Sequence, residues 1–110
     1  MIQEILPTAV QKQHESAGDV ILVDVREVNE FSGVSVPYAK NFPLSTFEVN
    51  DVLEAYKLDL NNDTVPIYFI CASGWRSQKA AEIFQEAGYE KVFNVSGGMQ
   101  RWLADKLPRH

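Results

Sequence analysis

The sequence predicts an α/β fold in which a parallel sheet is covered by helices on both faces. Three observations carry this expectation. Short apolar runs rich in β-branched and aromatic residues recur along the chain. Two of them, Val20-Ile-Leu-Val23 and Pro66-Ile-Tyr-Phe-Ile70, are apolar throughout, as strands buried on both faces are. Between the runs the hydrophobic period changes to that of a helix, and strands alternating with helices need crossover connections, which make the strands parallel.

Each element has its own signal. Residues 2–6 form a short, weak first strand candidate. Residues 8–16 come next as a helix, with Gly18 to stop it. The run 20–23 is the second strand, and residues 39–42 are a weak third candidate. Ser45-Thr-Phe-Glu48 has the spacing of a capping box, and Val49, Val52, Leu53 and Tyr56 then recur on one helical face. The run 66–70 is the next strand. Ala80, Ile83, Phe84 and Ala87 repeat the helical spacing and end at Gly88. Lys91-Val-Phe-Asn-Val95 is the last strand, Gly97-Gly98 a tight turn, and Met99, Trp102, Leu103 and Leu107 mark a final helix.

Size and composition narrow the function. At 110 residues the chain has the length of one domain, expected to span residues 1–110. A 45% hydrophobic and 23% charged composition excludes a disordered or low-complexity chain. A formal charge of −5 gives nucleic acid no long-range attraction, so no nucleic-acid partner is expected. Two histidines and one cysteine cannot build a His/Cys metal site or an internal disulfide, so no metal is expected. No stretch approaches the roughly 18 apolar residues of a membrane span, and residues 1–7 lack the basic start of a secretory signal. A cytoplasmic protein with a free thiol, not bound to a membrane, is the expectation. The glycosylation-like triplets Asn62-Asp-Thr64 and Asn94-Val-Ser96 then read as chance matches.

In parallel sheets ligands bind beyond the carboxyl ends of the strands, which directs attention to the residues just after each run. After the fourth comes Cys71-Ala-Ser-Gly-Trp-Arg-Ser77, with the only cysteine of the chain at the strand end. If this loop curls above the start of a helix beginning at Ser77, the N–H groups of Ala72, Ser73, Gly74, Trp75 and Arg76 form an anion-binding nest. The helix dipole and Arg76 would favour negative charge there, lowering the pKa of Cys71 and populating its thiolate near neutral pH. Gly74 permits a tight turn, and Ser77 can cap the helix or donate to a bound anion. Blander roles compete: Cys71 as a small buried apolar residue, Arg76 solvated or paired with an acidic neighbour such as Glu82, Trp75 as a core residue, although an aromatic at a loop apex is expected at the rim. Asp24, after the second run, is expected to bond loop backbone or pair with Arg26. His14 lies in a polar segment and is expected to face solvent.

These residues resemble the single-domain rhodanese family. The resemblance rests on Ile21-Leu-Val-Asp-Val-Arg-Glu27, Phe31, Pro37, Ala39, Asn41-Phe-Pro-Leu44, Cys71-Ala-Ser-Gly-Trp-Arg-Ser77, Ala80-Ala81, Ala87-Gly-Tyr89, residues 92–95 and Gly97-Gly-Met99 with Trp102. It runs in register over about residues 20–102. It implies a parallel sheet of five strands and sulfurtransferase chemistry. The family's catalytic cysteine falls on Cys71 and its substrate-cradling loop on residues 72–76. From its own position Ser77 is expected to bind substrate too, and Asp24 and Arg26 are expected to support the site. Two departures stand out. Where the family often has Gly-His-Ile-Pro-Gly-Ala, this chain has Val34-Ser-Val-Pro-Tyr-Ala39, and Ala72 stands where many relatives carry a basic residue.

The implied reaction moves a sulfane sulfur from a small donor such as thiosulfate, through a Cys71 persulfide, to a thiol or cyanide. The acceptor thiol could belong to a carrier protein, and no cofactor is needed. A non-catalytic binding or redox-sensing module on the same fold is the alternative. Cysteine phosphatases and arsenate reductases fit less well, because they place five residues between cysteine and arginine where this chain has four.

Overall fold

Why the chain alternates between periods is visible in its sheet. A computed structural model describes residues 1–61 and 64–110; the triplet at Asn62 lies partly outside them. Five strands, β1 (Gln3–Ile5), β2 (Ile21–Asp24), β3 (Lys40–Asn41), β4 (Ile67–Ile70) and β5 (Val92–Val95), form one sheet. Their order is β1-β5-β4-β2-β3, and every pairing is parallel. β2 and β4 are buried at all four positions, which is why they read as unbroken apolar runs. β1 and β3 are edge strands, short and partly exposed, and their sequence signal is weak for that reason.

The helices are α1 (Pro7–Ala17), α2 (Val28–Gly33), α3 (Val49–Tyr56), α4 (Trp75–Glu86) and α5 (Gly98–Ala104). Alternate strand residues feed two cores. Ile21, Val23, Ile67, Phe69 and Cys71 pack with Val52 and Leu53 of α3 and Ala80, Ala81 and Phe84 of α4. Leu22, Tyr68, Ile70 and Val95 pack with Val10 of α1 and Met99 and Trp102 of α5. The strand period of two thus assigns each helix to a face. Cys71 continues the odd-numbered side of β4, towards α4.

Two expectations need correction, and one helix goes unannounced. No helix begins at the Ser45 capping box: residues Leu44–Thr46 form a 3₁₀ turn, α3 starts after Glu48, and the Ser45 hydroxyl donates to Glu27 Oε1 at 2.7 Å. A capping box does exist, but at α2, where Glu27 N donates to Glu30 Oε1 at 3.0 Å. The sequence does not announce that six-residue helix, because it buries no residue and leaves no hydrophobic period. The final helix ends at Ala104, so Leu107 joins the second core from beyond it.

Strand order reverses direction between β2 and β4. From β2 the chain moves outward to β3, and from β4 it moves the other way to β5. The crevice at the carboxyl ends of this pair is the switch point at which α/β sheets bind ligands. Both α2 and α4 begin there.

Candidate active site

Cys71 sits at the floor of that crevice, immediately after β4. Its sulfur accepts a hydrogen bond from Gly74 N at 3.0 Å and one from the Ser77 hydroxyl at 3.2 Å. The Ser73 and Ser77 amides also point at it. Burial is the largest single influence on the thiol and pushes its pKa up, yet the Ser77 hydroxyl and the amides of Ser77, Gly74 and Ser73 together hold it below the ordinary value. A sulfur surrounded by donors is stabilised as the thiolate, the form that attacks. The residue is only 1% exposed, so it is buried as the blander reading has it, but among hydrogen-bond donors. It packs into the first core because it prolongs the buried side of β4.

The loop owes its shape to glycine and to a helix that offers it no side chain. Gly74 caps α4 with φ +111°, a conformation L side chains rarely adopt. At the far side, Met99 N donates to Cys71 O at 2.7 Å and Gln100 N to Ala72 O at 3.0 Å. These are free amides of the first turn of α5. A Cβ at Gly98 would collide with Cys71 O and lie 2.8 Å from Ala72 O, so only glycine lets the helix approach this closely. With the Ala72 carbonyl held by α5, the planar peptide that follows turns the Ser73 N–H the other way, towards the sulfur.

Ser77 is not a cap. α4 begins two residues earlier, at Trp75, because Gly74 takes the capping position. Ser77 is instead buried in the first turn, where its hydroxyl reaches both Cys71 Sγ and, at 2.5 Å, Asn94 Oδ1. One hydroxyl carries one hydrogen, so these two acceptors share it. Asn94 is fixed in turn: its amide donates to Gly74 O at 3.0 Å and to Glu4 Oε2 at 3.0 Å. That engagement buries the asparagine of the Asn94-Val-Ser96 triplet.

Around the crevice the charged residues are committed to one another. Asp24 and Arg26 pair as their spacing suggested: Arg26 Nη2 meets Asp24 Oδ2 at 2.8 Å, and both side chains are buried. Arg26 also donates to Val34 O at 2.6 Å, which ties down the altered turn after α2. Arg76 pairs neither with Glu82 nor with the loop. Its Nη1 and Nη2 reach Glu30 Oε1 and Oε2 at 2.7 and 2.9 Å, while Glu82 accepts from Gln78. The Arg76 guanidinium bonded to Glu30 holds that carboxyl at about 2, against a usual 4.5. Trp75 stands 68% exposed at the rim, and the Lys79 ammonium lies 5.6 Å from its ring centroid.

A cavity of about 620 Å³ lies elsewhere, where β2 begins, walled by His14, Tyr38, Lys40 and Tyr56 among others. His14 is half-buried there and stacks on Tyr38 with centroids 3.7 Å apart, contrary to a solvent-facing expectation. This wall contains no residue of the cysteine loop. Among the described residues no group of three or more His, Cys, Asp or Glu side chains could hold a metal, and no helix is long and apolar enough to cross a membrane.

Residues 6–105 match the Rhodanese-like domain family. The chain belongs to that family. Among the relatives of this rhodanese-like chain is a Bacillus subtilis protein named "Putative sulfurtransferase YtwF", 31% identical over 99% of this chain and 98% of its own length. Another from Bacillus subtilis is named "Putative sulfur carrier protein YrkF", 35% identical over 92% of this chain, which spans about half (51%) of that relative. A rhodanese-like domain protein from Staphylococcus aureus superposes with a TM-score of 0.76 at 30% identity, covering 92% of this chain and 91% of its own. A human single-domain sulfurtransferase shares the rhodanese fold at a TM-score of 0.73 and 22% identity, covering 94% and 97% of the two chains.

Glu30, Asn94 and Glu4 belong to the site without standing out in the sequence. For Asn94 there was a signal, a single amide in an otherwise apolar strand, which must find buried partners. Glu30 offered none, since its partner lies 46 residues away.

Proposed function

We propose that this rhodanese-like chain is a sulfurtransferase that carries sulfur on Cys71. The supporting observation is the ring of donors around one sulfur at a strand end, with Gly74 N at 3.0 Å and Ser77 Oγ at 3.2 Å. The Cys71 thiolate attacks the outer sulfur of a sulfane donor, such as thiosulfate. The donor's S–S bond breaks, sulfite leaves with the electron pair, and a Cys71 persulfide remains. An acceptor thiolate or cyanide then attacks the outer sulfur, and the Cys71 thiolate departs with the electrons of that bond. The transfer is divided into two displacements, which predicts ping-pong kinetics. The loop amides stabilise charge on sulfur in both steps, as an oxyanion hole does for oxygen.

Residues 72–76 are the cradle in this reading, Ser77 shares its hydroxyl with the nucleophile, and Asp24 and Arg26 support the neighbouring loop. The donor is a small sulfur compound, and the acceptor is cyanide or a thiol, including one on a carrier protein. No cofactor takes part. Incubation with thiosulfate, 3-mercaptopyruvate or a low-molecular-weight persulfide should add one sulfur atom to the intact mass, and Cys71→Ala should abolish the gain. No gain from all three donors would sink the sulfurtransferase reading and favour a binding module on this fold.

A further inference from the structure

Arg76 is the loop's own cation, yet both arms of its guanidinium are held by one carboxylate. Glu30 is rigid for a surface residue, because Oε1 also accepts the Glu27 amide in the capping box of α2. Glu27 is itself braced by the Ser45 hydroxyl. The other cations near the mouth are engaged too. Arg26 is buried against Asp24, and Lys79 lies over the Trp75 ring. Ala72 supplies no charge. An incoming dianion would therefore meet a neutral ion pair, and to reach Arg76 it would have to displace a bidentate carboxylate of like charge. At 26% and 34% side-chain exposure this pair is desolvated enough for the repulsion to be felt and open enough to be exchanged.

We propose that Glu30 is a specificity-determining residue: by occupying Arg76 it disfavours a dianionic donor such as thiosulfate, and selects a persulfide donor of low charge. This rests on the sulfurtransferase reading for its donor class, whereas the charge selection at the mouth is measurable without it. Glu30→Gln is the informative variant. Glutamine keeps the capping box, which accepts Glu or Gln at this position, and removes only the charge.

Two reagents of similar size report on the mouth. Iodoacetate is an anion and iodoacetamide is neutral, and both alkylate thiolates. At low salt, where charge is least screened, Glu30→Gln should raise the iodoacetate-to-iodoacetamide rate ratio by about fivefold. Glu30→Gln combined with Arg76→Ala should return it to the parent value or below. Sulfur loading from thiosulfate should rise by a similar factor relative to loading from a low-molecular-weight persulfide that carries no carboxylate, whose terminal sulfur passes to Cys71 as its thiolate leaves. A ratio unchanged within about twofold would overturn the proposal. So would equal acceleration of both reagents, which signals general loosening, or a Cys71 that neither reagent reaches. If the ratio shifts and no donor loads sulfur, the charge selection stands and the sulfurtransferase reading falls. If donors load sulfur and the ratio is fixed, only the role of Glu30 falls.

Discussion

The ends of β2 and β4 lie side by side, and beyond each an arginine is bonded to a carboxylate. The two pairs are built differently. Asp24 and Arg26 are two residues apart, and their side chains are 0% and 5% exposed. Arg26 spends its remaining donors on backbone, at Val34 O and Glu30 O. The Asn41 amide closes the same loop by donating to Asp24 O and Arg26 O at 3.0 and 2.9 Å. Arg76 and Glu30 come from different helices and stay partly in water. A buried pair leaves nothing to exchange with a ligand, so it fixes a loop. A partly hydrated pair can trade one partner for another, so it can take part in binding. Chemical similarity of the two pairs conceals a difference of role set by burial alone.

The largest effect expected from this contrast is on stability. Asp24→Ala leaves the Arg26 charge buried without its partner and should cost about 3–5 kcal/mol, measured by urea unfolding. A loss under about 1 kcal/mol would break the comparison. Ser77→Ala tests the floor of the second loop. It strips Asn94 Oδ1 of its 2.5 Å partner and should cost about 1–3 kcal/mol. It should also raise the midpoint of Cys71 alkylation against pH, since the sulfur loses a donor; a fixed midpoint would remove Ser77 from the thiolate's support. Arg76→Ala should cost no more than about 1 kcal/mol, because exposed pairs contribute little. Loading from thiosulfate should nonetheless slow about tenfold, as Glu30 is left uncompensated at the mouth. Equal rates would make Arg76 a surface residue.

The smallest effect concerns acid. With its folded pKa at about 2, below the usual 4.5, Glu30 contributes stability that is complete above about 4.5 and lost as pH falls through about 2. The stability gap between the parent chain and Glu30→Gln should narrow over that window. A gap that stays constant from neutral pH to below 2 would show that the carboxylate charge adds nothing to folding.

How much of this was legible depends on the range of each interaction. The four buried positions of β2 and β4, the helical spacing of Ala80 and Phe84, and the stop at Gly88 are local patterns. The sheet and its covering helices are built from them. The cysteine at a strand end is equally local, and so is the pairing of Asp24 with Arg26. The hidden part depends on distant residues. Glu30 meets Arg76 across 46 positions, and Asn94 meets Gly74 across 20. The capping-box spacing misled at Ser45, because that serine bonds Glu27, 18 residues earlier in the chain. Tertiary contact overrode a correct local rule.

The grip of α5 on the backbone of the cysteine loop has a consequence for how this protein can vary. Since residues 72–74 act on the sulfur through the tilt of their peptide units, the Ser77 hydroxyl being the side chain that adds to them, substitutions at Ala72 and Ser73 should be forgiven as long as their length of chain is kept. One inserted residue would change which peptide units face the sulfur. Spacing, more than spelling, is what this segment must preserve.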